Sequence, residues 1–99
     1  MTRFLIIRVV AYHALPDKDV LAWIKRTAPQ LRGEEGLRQV EFMRSTSDSS
    51  LWGAVEHYGS MEDLDAYYRR RKERYKDMQS TWVDTSKPVY EHIYELLDI

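Results

Sequence analysis

The feature that most constrains the fold is the segment Arg3–His13, which is apolar on both of its alternating sides. Its residues are mostly of the β-branched and aromatic types that favour a strand. The two sides are Leu5, Ile7, Val9, Ala11 and His13, and Phe4, Ile6, Arg8, Val10 and Tyr12. A small two-layer domain covers only one face of its sheet. This strand therefore requires a second cover for its other face.

A helix is predicted next, because apolar residues recur at helical spacing from Val20 to Leu31. Asp17 is the predicted N-cap. Pro29 is expected to kink or end the helix, since proline lacks an amide donor. Gly33 and Gly36 can each adopt the left-handed backbone conformation that ends a helix.

Residues 37–58 are typical of a β-hairpin. The segments 37–44 and 51–58 have strand-like alternation, and the serine-rich segment 45–50 between them has the composition of a turn. Both segments are therefore predicted to be strands.

A second helix is predicted after Ser60, which is followed three residues later by Asp63 in a capping pattern. Its expected apolar stripe is Leu64, Tyr67 or Tyr68, Arg71, Tyr75, Met78 and Trp82. Pro88 then admits a last strand, Val89–Leu97, because proline is tolerated where a strand begins.

The order β-α-β-β-α-β predicts one ferredoxin-like α+β domain over residues 1–99, a four-stranded antiparallel sheet with two helices on one face. The expected strand order is 4-1-3-2. A homodimer joined sheet to sheet would cover the other face. Arg8 is assigned to that interface, which places all three histidines under the helices. Its expected partners are Glu41, Glu56, Glu91 and Glu95.

Composition narrows the functional classes. Hydrophobic residues are 43% and charged residues 31% of the chain, which is typical of a folded cytoplasmic protein and not of a membrane span. The chain has no cysteine, which excludes disulfides, thiolate catalysis and cysteine-ligated metals. A net charge of −1 gives no general attraction to nucleic acid or membrane.

Three segments resemble the dimeric α+β barrel superfamily: Ala28–Arg32, Gly36–Phe42 and Tyr58–Leu64. The last is similar to the strand–helix junction of antibiotic biosynthesis monooxygenases, and the first two to the EthD-like group. The resemblance implies a homodimer with a pocket between sheet and helices for a small aromatic or polyketide-like ligand. It also implies cofactor-independent oxygenation as the leading activity.

The departures from this pattern disfavour haem chemistry. Haem-degrading members have a tryptophan at the end of the third strand and a histidine on the second helix. Here Tyr58 occupies the strand end, and residues 58–91 contain no histidine. Thr27 stands where EthD-like proteins often have histidine. We expect no cofactor and no metal.

The candidate site follows from the predicted faces. His92 and His57 are the candidate bases, since histidine titrates near neutral pH. Tyr58, Tyr90 and Arg71 are expected to hold a developing oxyanion. Trp23, Trp52 and Tyr67 are expected to line the pocket with them.

Alternative interpretations remain open. The aromatic residues could be ordinary core and the histidines structural, in a non-catalytic homodimeric module that binds a small molecule or has a regulatory role. The charged run Arg69–Lys76 could receive an anionic ligand or nucleic acid, but a solvated helix surface is favoured. We expect no nucleic-acid partner.

Overall fold

The computed structural model describes residues 5–74, 81–97 and 99. Its elements are β1 (Leu5–His13), α1 (Val20–Arg32), β2 (Leu37–Arg44), β3 (Leu51–Tyr58), α2 (Met61–Arg74) and β4 (Tyr90–Leu96). The strands form one antiparallel sheet in the order β2-β3-β1-β4. This confirms the ferredoxin-like α+β fold and its strand order. Phe4, Tyr75, Lys76 and Met78 lie outside the described residues.

The helices cover the side of β1 opposite to the one predicted. Ile6, Arg8 and Val10 are only 5%, 2% and 3% exposed. Ile6 and Val10 belong to the same core as Leu31 of α1 and Leu64 of α2. The assignment of Arg8 to an intersubunit face was therefore wrong. It assumed that a charge would avoid the monomer core, whereas this charge is buried with partners of its own chain.

The other side of the sheet forms what we call the open face. It comprises Leu5, Ile7, Val9, Ala11 and His13 of β1, Gln39, Glu41 and Met43 of β2, Leu51, Gly53, Val55 and His57 of β3, and Tyr90, His92, Tyr94 and Leu96 of β4. The register shows this directly, since Val9 lies between Val55 and His92. All three histidines therefore lie on the open face, and their predicted place under the helices was wrong.

The ends of α1 differ from the prediction in two places. Asp19, not Asp17, is the N-cap, and its side chain accepts a hydrogen bond from the Ala22 amide at 3.0 Å. The helix continues three residues past Pro29 to Arg32. The missing amide of a proline removes one hydrogen bond, and this helix tolerates that loss near its C-terminus.

Of the two predicted left-handed stops, only Gly36 has a positive φ, at +85°. The C-cap Gly33 has an ordinary φ of −89°. A Cβ atom at position 36 would come within 2.9 Å of the Asp63 side chain. Gly36 therefore permits both the turn into β2 and the close approach of α2.

The predicted start of α2 is confirmed, because the Ser60 hydroxyl accepts a hydrogen bond from the Asp63 amide at 3.1 Å. Leu64 and Tyr67 on its predicted stripe are buried. Trp82 is also buried, but it lies beyond the helix. Among the described helices, none is long and apolar enough to cross a membrane.

Substituting the N-cap tests the observed start of α1. Asp19→Ala should lower the free energy of unfolding by about 1 kcal/mol, because it leaves a first-turn amide without its acceptor. Urea denaturation followed by circular dichroism measures the change. Asp17→Ala is the matched control and should stay within about 0.5 kcal/mol of the parent chain. Equal losses in both variants would contradict the assignment of Asp19.

Candidate functional site

A cavity lies between the helix-covered face of the sheet and the two helices, with a volume of about 60 Å³ open to the centres of water-sized molecules. Four of the predicted ligand-contact residues line it: Trp23, Trp52, Tyr67 and Arg71. The segment after α2 adds Trp82, whose ring meets Trp23 edge-on at 5.4 Å and Tyr12 at 6.0 Å. Six of the sixteen lining residues are therefore aromatic.

The remaining predicted site residues do not line this cavity. Tyr90 is 48% exposed on the open face. His57 lies there beside Glu41 at 3.8 Å, and the ring of His92 lies 6.2 Å from that of Tyr94. Tyr58 is fully buried within the core, with its hydroxyl bonded to Glu56. The geometry gives His57 and His92 no contact with a ligand in the cavity.

The histidines are also separated from one another along the sheet. In the register of β1 with β3, His57 pairs with Ile7 and His13 pairs with Leu51, six positions apart. His13 instead lies 3.3 Å from the Ser50 hydroxyl. Within residues 5–74, 81–97 and 99, no three histidine or acidic side chains converge as metal ligands would.

Arg8 is the centre of a buried polar network on the sheet side of the cavity. Its Nη1 donates to Glu56 at 2.8 Å, and its Nε lies 2.7 Å from Glu91 and 2.9 Å from the Tyr68 hydroxyl. Burial disfavours the charged guanidinium, but the charge and hydrogen bond of Glu56 together with Tyr12 and Glu91 outweigh it, so the pKa of Arg8 is raised. Of the four expected partners of Arg8, Glu56 and Glu91 are confirmed.

Glu56 is only 3% exposed and is one of the residues that line the cavity. Its Oε1 accepts hydrogen bonds from both Arg8 and Tyr58, each at 2.8 Å. Burial and the charge of Glu56 raise the pKa of Tyr58 well above its usual range. Tyr58 is therefore a fixed donor to Glu56. Both hydrogen bonds that the described residues make to this carboxylate end on Oε1.

A second guanidinium borders the cavity. Arg71 Nη2 and Arg8 Nη2 each lie 3.4 Å from the Tyr12 hydroxyl oxygen. Arg71 also lies over the Tyr67 ring, 5.9 Å from its centroid. These contacts fix two positive groups at the lining of the cavity.

Its neighbour in the charged run, Arg70, is held differently. Arg70 donates to the Glu34 carboxylate at 3.1 Å and to the Glu35 carbonyl at 2.7 Å. It thus ties α2 to the turn after α1. Arg69 is exposed.

Sequence reasoning missed four lining residues that carry polar atoms: Arg8, Tyr12, Thr27 and Glu56. The available signal was Arg8, a lone charge within an apolar strand. Reading it as buried in the monomer would have placed Tyr12 and Glu56 on the covered face. Trp82 was expected on the apolar stripe of α2 and lines the cavity, although it lies beyond the end of that helix.

No family profile and no curated protein matches this sequence. Solved structures do match its fold. A conserved protein from Methanosarcina mazei Go1 has a TM-score of 0.75 at 20% identity, over 93% of this chain and 92% of that one. A candidate antibiotic biosynthesis monooxygenase from Nitrosomonas europaea has a TM-score of 0.72 at 19% identity, over 95% and 91%. One from Deinococcus radiodurans has a TM-score of 0.70 at 12% identity, over 95% and 94%.

These likenesses confirm the resemblance in fold. This chain has the ferredoxin-like α+β fold of proteins described as candidate antibiotic biosynthesis monooxygenases. Each match covers nearly the whole length of this chain and of the similar structure.

The ion pair between Arg8 and Glu91 predicts that the free energy of unfolding falls at acidic pH. Burial raises the pKa of Glu91, but hydrogen bonds from Tyr68 and Arg8 outweigh it, so the pKa lies below its ordinary 4.5. A depressed pKa stabilises the folded state above about pH 4.5, and this contribution is lost as the pH falls through the folded value.

Glu91→Gln should therefore lower the melting temperature most at neutral pH, and this difference from the parent should shrink below about pH 4.5. Thermal unfolding by circular dichroism from pH 3 to 8 measures it. Glu95→Gln, an exposed change on the same strand, is the control and should show a smaller difference at pH 7. A Glu91→Gln difference that does not vary with pH would contradict the role of this ion pair.

Proposed function

We propose that this protein is a homodimeric, cofactor-independent oxygenase that acts on a small aromatic or polyketide-like molecule in the cavity. The observation that carries this proposal is a cavity with an aromatic wall and a charged cluster, Arg8, Glu56 and Arg71, at one end. The likeness in fold to candidate antibiotic biosynthesis monooxygenases supports it. Fold alone would be a weak argument for function.

The chemistry requires a base and a place for the resulting anion. A bound substrate loses a proton and becomes an electron-rich anion, which then reduces molecular oxygen. A methylene carbon of the substrate becomes a carbonyl carbon: it loses its two hydrogens and gains one oxygen atom, and the other oxygen atom leaves with those hydrogens as water. Glu56 Oε2 is the proposed base. Arg8 and Arg71 lie close enough to the same end of the cavity to stabilise the negative charge.

The aromatic wall supplies binding and excludes water. Trp23, Trp52 and Tyr67 contact the flat faces of the substrate in this proposal, as expected from the sequence. A dry cavity strengthens the interaction between the guanidinium groups and the anion, because the local dielectric is low.

A second copy of this chain is the proposed cover of the open face. A nine-residue strand is about 30 Å long, and four strands are about 19 Å wide, so the face is roughly 550 Å². Two such faces bury about 1,100 Å², near the lower limit for a specific interface. β1 contributes only apolar side chains and His13 to it, which favours a like surface over a charged partner.

One observation favours the non-catalytic alternative. Arg8 is bonded to Glu56 and Glu91, and such mutual pairing is typical of a structural network. A binding or regulatory module would use the same cavity without a reaction. The two functions differ in whether bound ligand consumes oxygen.

Oxygen consumption tests the proposed activity. A thermal-shift screen of phenols, quinones and lactones identifies a ligand, and an oxygen electrode then measures turnover, with labelled oxygen followed into the product. We expect Glu56→Gln to lower the rate about 100-fold or more while the ligand still raises the melting temperature. Glu35→Gln, an exposed change outside the cavity, is the matched control and should keep the parent rate.

Ligand binding without oxygen uptake by the parent chain would contradict catalysis and support the binding module. Loss of both binding and turnover in Glu56→Gln would assign Glu56 a structural role.

Light scattering tests the dimer. The parent chain should have twice the monomer mass at micromolar concentration. Val9→Glu should give a folded monomer, because two acidic groups would meet at the centre of the interface. Leu21→Glu, a change of the same kind at an exposed position of α1, should remain dimeric. A monodisperse monomer for the parent chain would overturn the proposal.

A further inference from the structure

His92 is the one histidine in a row of aliphatic and tyrosine side chains that β1 and β4 present on the open face. We call this row the apolar ladder, and its cross-strand pairs are Leu5 with Leu96, Ile7 with Tyr94, Val9 with His92, and Ala11 with Tyr90. The β4 members of the ladder are exposed. His92 is therefore a polar ring in the middle of an uncovered apolar surface.

No acidic or basic side chain adjoins His92 on the open face within the described part of the chain. β1 is the only strand that pairs with β4, and its side chains beside His92 are Ile7, Val9 and Ala11. The neighbours of His92 on its own strand are Tyr90 and Tyr94. Glu91 is next in sequence, but it points to the covered side and is paired with Arg8. A proton on His92 therefore has no counter-ion beside it.

The other two histidines of the open face each lie near a carboxylate of their own chain. His57 Nε2 is 3.8 Å from Glu41 Oε1, and His13 Nδ1 is 3.7 Å from Asp48 Oδ2. A carboxylate at this distance attracts a protonated imidazole and offsets its charge. Acid therefore adds compensated charge at His13 and His57, and uncompensated charge at His92.

A second copy of the chain on the open face would bury His92 together with the apolar ladder. The neutral imidazole suits that position, because its ring packs against the tyrosine rings, of which Tyr94 is 6.2 Å away. The protonated imidazole does not, because a charge removed from water without a counter-ion is costly. A two-fold dimer doubles this cost, since each copy contributes one His92.

We propose that His92 is a pH-sensitive switch of the homodimer, which assembles near neutral pH and dissociates when His92 gains a proton. This inference rests on the homodimer of the proposed function and adds a control of its assembly. Histidine is the side chain that ordinarily changes its charge between pH 8 and pH 5. The separated copies bind protons more readily than the dimer does, so by linkage the dissociation constant rises as the pH falls.

Sedimentation equilibrium of the full chain at pH 7.5, 6.5 and 5.5 tests the switch. We expect the dissociation constant of the dimer to rise about tenfold or more from pH 7.5 to pH 5.5, because each copy must take up a proton. Circular dichroism at each pH checks that the chain stays folded. The range ends above pH 4.5 because Glu91, whose pKa lies below that value, then keeps its ion pair with Arg8 throughout.

Substitutions assign the pH dependence to one histidine. His92→Gln keeps a polar side chain that takes up no proton, so its dissociation constant should be nearly independent of pH. His92→Phe is the second variant, and its apolar ring should give the same independence even where His92→Gln weakens the dimer at every pH. His57→Gln is the matched control. It removes a histidine from the same face, but one that lies beside Glu41, so the rise in acid should remain.

The outcomes separate the switch from the dimer itself. A parent chain that is monomeric at pH 7.5 would overturn both. A dimer whose dissociation constant stays the same down to pH 5.5 would overturn the switch and leave the dimer. A dimer that tightens in acid would also overturn the switch, because a carboxylate of the second copy would then lie against His92. A pH dependence that persists in His92→Gln and disappears in His57→Gln would assign it to His57 and exclude His92.

Discussion

The contact between Arg8 and Glu56 determines which way the sheet faces. Both side chains are almost fully buried, in the middle of the two central strands, where an isolated charge would be very costly. Each is tolerable only because the other lies directly across the β1–β3 pair. Once that pair faces the helices, the register places Ile6, Val10 and Tyr12 in the core beside it. The same register turns Ile7 and Val9 to the open face.

The chain topology could be predicted from local signals, because each element has its own. Alternation defines the strands, Ser60 and Asp63 begin α2, and Gly36 permits the turn into β2. The face of the sheet could not be predicted in the same way. Both sides of β1 are apolar, so hydrophobicity does not choose between them, and Arg8 was the only asymmetry. Whether Arg8 is buried within the monomer depends on its partners Glu56 and Glu91, which are 48 and 83 residues away in sequence.

Only part of the candidate site could be predicted, because the face of the sheet was not determined by the sequence pattern. Trp23, Tyr67 and Arg71 lie on helices, where spacing identifies the inward side whatever the sheet does. His57, His92 and Tyr90 lie on strands, where an error of one residue in parity moves a side chain to the opposite face. The three strand residues therefore lie on the open face, and Tyr12 and Glu56 line the cavity instead. Trp52 was expected in the pocket and lies there, although the general parity assignment was reversed.

A single sheet thus separates two kinds of surface. One face combines aromatic rings with charges that neutralise each other, and the other is apolar with histidines near its edges. The buried donors that lack a hydrogen-bond partner among the residues that the structure describes are found only on the enclosed side: Trp23 Nε1, Thr27 Oγ1 and Trp82 Nε1. Tyr58 on the same side has its acceptor in Glu56, so these donors are the exception among the buried polar groups of the covered face.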